Sequence, residues 1–312
     1  MDPAQTSKTL PIGTQVVTLA PGIGPKGEEV CPQGSVGVVV GFAAKSADSY
    51  QVRLTDASIA TLSRKDLAIR KHFQRDSAQR GRKLDKQLDL NDFVIYRCVV
   101  GSRAFGLDED GSDFDRRGIF LPPADLHWSL FGLPEQIENH DTQECYWEIG
   151  KFLLLALKAN PNILECLYTP AVELATPLTQ ELLSIRSIFL SQLIYQTYNG
   201  YVMSQFKKLS GDLRNKGAIR WKHAMHLIRL LVSGIAVLRE GFVPLRIEEH
   251  RERLLEIRRG NVAWEEINAW RLRLHKEFDS AFAATHLPEY PDYERANEFL
   301  LKARRSVVGS KP

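Results

Sequence analysis

The spacing of apolar residues changes at about residue 150, and that change sets the architecture. Before it, apolar residues come in short β-branched runs parted by Gly, Pro, Asp and Ser. These are "TQVVTL", "SVGVVVGF", "SYQVRL" and "ASIATL" within 11–70, then "FVIYRCVV" (93–100), "RGIFLPP" (117–123) and "ECYWEI" (144–149). Such runs predict strands. After it, "GKFLLLALKA" and "NILECLY" carry helical spacing, parted by Asn160-Pro161-Asn162. From about 178 to 310 the pattern is almost wholly helical, with Gly241 and Gly260 placed as helix stops. The expectation is an α+β chain. It has a flexible tail over 1–10, a small β-barrel over 11–70, a domain on a small mixed sheet over 71–177 and a helical domain over 178–312. The polar, charged stretch 71–90 fits a linker helix or the first helix of the next domain.

Length allows this: 312 residues suffice for two or three domains and at least one sizeable core. With 41 basic and 38 acidic residues the net charge is only +3, too little for a nucleic-acid coat protein. Any basic site must be local. There is no run of about 18 apolar residues, so no membrane span is expected, and the N-terminus lacks the pattern of a secretory signal. The four cysteines, Cys31, Cys98, Cys145 and Cys166, are scattered without a CxxC pair. That pattern argues against a zinc site or a disulfide framework and for a reducing, cytoplasmic setting. Cys98 and Cys145 lie in apolar runs, as small buried hydrophobes do.

The chemistry is concentrated in residues 101–115, "GSRAFGLDEDGSDFD", between two expected strands. In an extended segment side chains alternate faces, so Asp113 and Asp115 point the same way and Phe114 turns into the core. Two carboxylates on one face repel, and burying them unpaired is costly. A hard divalent cation such as Mg²⁺ removes the conflict, since it takes one or two carboxylates and keeps the rest of its shell for water and phosphate. Gly101 permits close backbone approach to a ligand. Exposed N–H groups and the Ser102 hydroxyl at a strand-to-helix turn can cradle phosphate, and Arg103 adds fixed positive charge. Asp108, Glu109 and Asp110 read as a solvated spacer between the two grips.

This string resembles the signature of the DNA polymerase beta-like nucleotidyltransferase superfamily: Gly-Ser, about ten residues, then Asp-x-Asp, set between two strands. "GSRAFGLDEDGSDFDRRGIFLPP", "YWEIGKFLLLALKANPNILECLY" and "KHAMHLIRLL" are similar to a microbial subgroup of predicted nucleotidyltransferases, over roughly 90–300. The resemblance makes 71–177 the catalytic domain. It implies two Mg²⁺ ions, with Mn²⁺ as a substitute, held by Asp113 and Asp115, while Gly101 and Ser102 hold the β- and γ-phosphates of an NTP. It also implies a third carboxylate on a later strand. Glu144 ranks first because it opens the best strand pattern, Asp141 second, and Glu148 fits a structural role. The barrel region "GSVGVVVGF…YQVRL" loosely resembles SH3-like or KOW-type barrels and lies outside this similarity.

Residues 206–229 hold Lys207, Lys208, Arg214, Lys216, Arg220, Lys222 and Arg229 against the single acid Asp212. Lys222, His226 and Arg229 fall at i, i+4 and i+7, one helical stripe. It reads as a cationic wall facing the triphosphate or an RNA-like acceptor, or equally as a solvated basic face. Asn160-Pro161-Asn162 reads as a helix break with Asn capping the next helix. The five tryptophans form no stacking array, and most read as core or interface residues.

The expected activity is Mg²⁺-dependent transfer of NMP from an NTP to an acceptor, RNA such as tRNA being favoured over a protein side chain or a small molecule. Two alternatives stand: a non-catalytic nucleotide- or RNA-binding module on the same fold, and an oligonucleotide or cyclic-dinucleotide synthase. Oligomeric state is not legible.

Overall fold

The computed structural model describes residues 9–24, 27–42, 48–71, 73, 89–109, 111–130, 132–216, 219–246 and 248–309. The stretch 74–88, where a linker helix was expected, lies outside them, as do residues 1–8 of the expected tail. The chain divides into two compact units, Met1–Gln87 and Leu88–Pro312.

The first unit carries β1 (Gln15–Thr18), β2 (Gly22–Ile23), β3 (Glu29–Cys31), β4 (Val36–Phe42), β5 (Ser49–Leu54), β6 (Ile59–Ser63) and β7 (Leu67–Ile69). They form one sheet in the order β3-β2-β6-β5-β4-β1-β7, with antiparallel neighbours. Alternation explains its core: in β5, Tyr50, Val52 and Leu54 are buried while Gln51 and Arg53 face out. Leu10 is buried with them, and its N–H donates to the Tyr50 hydroxyl at 3.2 Å. The packed core therefore starts inside the stretch expected to be a tail.

The second unit carries β8 (Val94–Val100), β9 (Asp115–Phe120), β10 (Gln136–Asn139), β11 (Glu144–Glu148) and β12 (Val172–Ala175), in the order β10-β11-β9-β8-β12. β11 runs parallel to β9 and the other neighbours are antiparallel. Its helices are α1 (Ser102–Phe105), α2 (Ala124–Trp128), α3 (Ile149–Leu157), α4 (Pro161–Tyr168), α5 (Pro177–Ser184), α6 (Leu193–Lys216), α7 (Trp221–Glu240), α8 (Arg251–Arg259), α9 (Trp264–Ala283) and α10 (Tyr293–Ser306). Sheet and helices share one apolar core, which runs from Tyr96, Cys98 and Ile119 to Leu231, Leu255 and Phe278. Each fully buried Leu, Ile or Phe in it contributes about 1.5–3 kcal/mol. That core is continuous across residue 177, which opens α5.

Local chemistry sets the helix ends. Glu148 caps α3: its Oε2 accepts from the Gly150 N–H at 2.8 Å, and its Oε1 pairs with Arg304 of α10 at 2.7 Å. Asn160 accepts from the Asn162 N–H at 3.0 Å, and Pro161 stands in the first turn of α4. Asn160-Pro161-Asn162 is thus a helix break, and Asn160 also donates to the Tyr201 hydroxyl. Gly241 and Gly260 take left-handed φ values of 65° and 82° that end α7 and α8. All four cysteines are free and buried. Trp147 and Trp270 are buried and Trp221 and Trp264 half-buried, whereas Trp128 is 62% exposed. Among the described residues, no helix is long and apolar enough to cross a membrane.

Candidate functional site

The two halves of the Gly-Ser and Asp-x-Asp string meet where two interior strands of the mixed sheet, β8 and β9, lie end against start. β8 ends at Val100, whose partner across the ladder is Asp115, the first residue of β9. Gly101 follows with φ 75° and ψ −154°, a conformation reserved in practice for glycine. A Cβ at this position would lie 2.5 Å from Asp115 Oδ2, so the carboxylate packs directly on the turn. Ser102 then starts α1, which is closed by the Leu107 N–H donating to the Ser102 carbonyl at 2.8 Å. The first N–H groups of a helix have no partner within it. Asp115 is half-buried, and Arg117 Nη2 approaches its Oδ1 at 3.4 Å. Asp113 is exposed and lies in the loop before β9.

The strand begins at Asp115, two residues ahead of the expected run 117–123, but Asp113 and Phe114 still precede the ladder, and the alternation expected across them fails. Phe114 is 46% exposed, not turned into the core. Its ring lies under Arg103, with the guanidinium carbon 3.8 Å from the ring centre, and Arg116 stands 5.4 Å away. Outside a ladder nothing forces alternation, and guanidinium faces supply the packing partner instead.

Arg103, next to Ser102, has protein partners of its own. Its Nε and Nη2 donate to the Ser112 carbonyl at 3.2 and 2.7 Å, and Nη1 stands 3.9 Å from Asp108. It ties the spacer to α1. Glu109 is tethered rather than merely solvated: Arg259 pairs with it at 2.9 Å, and Arg258 Nε lies 3.9 Å away. Asp110 lies outside the described residues. Two further contacts fix the end of α1: Arg251 Nε donates to the Gly106 carbonyl at 2.7 Å and Arg258 Nη1 to the Leu107 carbonyl at 2.6 Å. These α8 arginines were not foreseen. Their i, i+7 spacing shows that they share a face, but the sequence does not show what that face meets.

Glu144 is not brought to the aspartates. It pairs across the sheet with Arg116, and residues in register share a face. Arg116 follows Asp115 in β9, so Glu144 and Asp115 lie on opposite faces. Glu144 accepts from the Tyr146 hydroxyl at 3.0 Å and stands 4.0 Å from Arg116. The face of β11 that Asp115 shares carries Cys145 and Trp147. Asp141 sits in the turn after β10 and, with Glu138, Asn139, Glu144 and Tyr146, lines a separate cavity of about 360 Å³. Among the described residues, no group of three His, Cys, Asp or Glu side chains is placed to hold a metal. The structure puts the Asp115 carboxylate at the turn and Asp113 in the loop just before it, two carboxylates in all. That fits a Mg²⁺-type ion, which completes its shell with water and substrate phosphate, and does not fit a closed protein cage.

The expected cationic stripe divides. Lys222 is exposed. His226 is partly covered, and its imidazole is pushed down to about 3, first by burial and then by Arg229 and Lys222. Arg229 does not face solvent. It is buried, donates through Nη1 to Glu165 Oε1 at 2.7 Å, and lies 3.8 Å from the Phe105 ring centre. Burying a lone guanidinium is prohibitive, so its carboxylate partner determines its place. Lys207, Lys208, Arg214 and Arg220 are exposed, and the Lys216 side chain lies outside the described set.

A mixed sheet with Gly-Ser closing one strand, Asp-x-Asp opening its neighbour and helices behind defines the DNA polymerase beta-like nucleotidyltransferase class. Within that class, residues 73–302 match the RNA repair pathway DNA polymerase beta family (RlaP), and the chain belongs to that family. It is also similar to the uncharacterized protein YcgL of Bacillus subtilis (strain 168), at 35% identity over 82 residues. That stretch is 25% of this chain and 32% of the relative, so the similarity spans about a third of the relative's length.

Proposed function

We propose that the chain is a Mg²⁺-dependent nucleotidyltransferase that moves NMP from an NTP to an RNA acceptor. The observation that supports this best is the packing of the Asp115 carboxylate on the Gly101 turn, where a Cβ would come within 2.5 Å of Oδ2. That packing supports reading Asp115 as a cation ligand beside a turn that takes phosphate. Gly101 and Ser102 hold the β- and γ-phosphates, and Asp113 and Asp115 hold the cation. The bound cation supplies charge neutralisation on the phosphate oxygens. The acceptor hydroxyl oxygen bonds to the α-phosphorus, the bond from that phosphorus to the bridging oxygen breaks, pyrophosphate leaves, and the hydroxyl proton passes to solvent. The chain's own contribution is position: Arg103 ties the spacer, and the α8 arginines hold the end of α1.

The test is incubation with each labelled NTP, Mg²⁺ and RNA. Label should pass to RNA with the wild-type chain and not with Asp113→Asn/Asp115→Asn. Transfer that survives the double substitution removes this site as its source. A second reading, a nucleotide-binding module without turnover, is favoured by the absence of a three-acid group among the described residues. Mg²⁺-dependent NTP binding without pyrophosphate release would select it.

A further inference from the structure

Phe206 of α6 and Trp264 of α9 lie with ring centres 6.4 Å apart and planes 26° from parallel. This is the wide end of the range for direct aromatic contact, about 4.5–7 Å. The two rings help line a cavity of about 260 Å³, with Ser210, Arg214, Ile219 and Asn268 among its other walls. Arg271 stands over Phe206, its guanidinium carbon 4.6 Å from the ring centre. Its Nε and Nη2 both donate to Asn268 Oδ1, at 3.0 and 2.9 Å. It is half-buried, and burial lowers its pKa. Its partner is a neutral amide, and among the described residues no carboxylate pairs with it. A fixed, partly desolvated cation of this kind is complementary to an anion.

The surroundings add positive charge. Arg214 lines the cavity, Lys207 and Lys208 are exposed on α6, and Lys222 is exposed on α7. The nearby acids are mostly engaged: Asp212 by Arg220 and His223, and Glu266 by Arg253. Glu265 is exposed at the start of α9. An aromatic pocket flanked by cations is the chemistry that takes a nucleobase on a π-face and its phosphates on arginine.

We propose that this cavity is a stacking subsite for one unpaired nucleotide of single-stranded RNA. The base lies against Phe206 and Trp264, and Arg271 and Arg214 take the adjoining phosphates. The basic stretch read from the sequence as a wall towards the triphosphate thus becomes a surface for the acceptor strand. The choice of RNA rests on the proposed function above; the stacking chemistry is independent of the aspartates.

The test is fluorescence anisotropy with a short labelled single-stranded RNA and the same strand made of abasic residues. The wild-type chain should bind the base-bearing strand about tenfold more tightly than the abasic one. Phe206→Leu should remove most of that difference. Arg271→Gln should weaken both strands and flatten the salt dependence. Equal binding of the two strands by the wild-type chain, no RNA binding, undiminished discrimination by Phe206→Leu, or competition by an acidic peptide as strong as by RNA would each overturn the proposal. The strand comparison needs no variant, so a folding defect in Phe206→Leu does not blunt it. Intact binding without any nucleotidyl transfer in the wild type would sink the catalytic proposal alone.

Discussion

Arg229 and Glu165, 64 residues apart in sequence, meet as a buried ion pair, Nη1 to Oε1 at 2.7 Å, directly behind the helix that starts at Ser102. The guanidinium face covers Phe105 of that helix. Removing either partner leaves an uncompensated buried charge. Arg229→Met and Glu165→Gln should each cost about 3–5 kcal/mol in urea unfolding. Arg229→Met with Glu165→Leu should cost less than the sum, because the second change removes the charge the first one strands. Single variants within about 1 kcal/mol of wild type would show that the pair does not anchor the turn.

Gly101→Ala tests the turn itself. The new methyl meets Asp115 Oδ2 at 2.5 Å, and φ of 75° strains any side chain. Stability should fall by about 1–3 kcal/mol. Nucleotidyl transfer should fall further, by about 10²-fold, because the displaced carboxylate is the proposed cation ligand and a misplacement of about 1 Å is enough to spoil the reacting geometry. The two readouts separate the effects: a rate loss no larger than the fraction unfolded accounts for would leave the carboxylate without a special role.

Glu144→Gln and Asp115→Asn should behave differently. Glu144 lies on the opposite sheet face and is engaged by Tyr146 and Arg116. Its substitution should change transfer by less than about threefold, a shift below about 0.7 kcal/mol, whereas Asp115→Asn should cost about 10²–10³-fold. A large loss with Glu144→Gln, at wild-type stability, would require a rearrangement of β11 during turnover.

That pair of residues shows where the sequence stops being informative. The strands at 94–100 and 144–148 and the helix stops at Gly241 and Gly260 follow from apolar runs and glycine chemistry and are where the patterns put them, while the strand expected at 117–123 runs from 115 to 120. Which face Glu144 takes depends on register alone, since a slip of one residue exchanges it with Cys145. Register is a relation between two strands and is not written in either. Phe114 misled for a related reason: alternation holds only inside a ladder, and the ladder begins at Asp115. The Arg229–Glu165 pair and the contacts of Arg251 and Arg258 with Gly106 and Leu107 join distant segments, so their charges read as surface until the core is assembled. β10 and β12 are short, four-residue edge strands without an apolar run to announce them.

His226 makes stability depend on pH with a definite sign. In the folded chain burial, with Arg229, Lys222, His223 and Arg258 in support, holds its pKa down at about 3, against 6.5 for a free imidazole. Between those values the unfolded chain carries a proton that the folded chain lacks. Stability is therefore fully present above about 6.5 and is lost as pH falls towards 3, by up to about 1.4 kcal/mol per pH unit from this residue. His127, His223 and His275 are also shifted down, mainly by burial, and act in the same direction. His226→Leu keeps apolar bulk and cannot take the proton, while the carboxylates titrate alike in both proteins. Its unfolding free energy should thus fall less steeply than that of the wild type between pH 6.5 and 5, as read from urea midpoints at several pH values. Equal slopes would mean that the ring is solvated well enough to protonate in place, and that the cations around it do not hold it neutral.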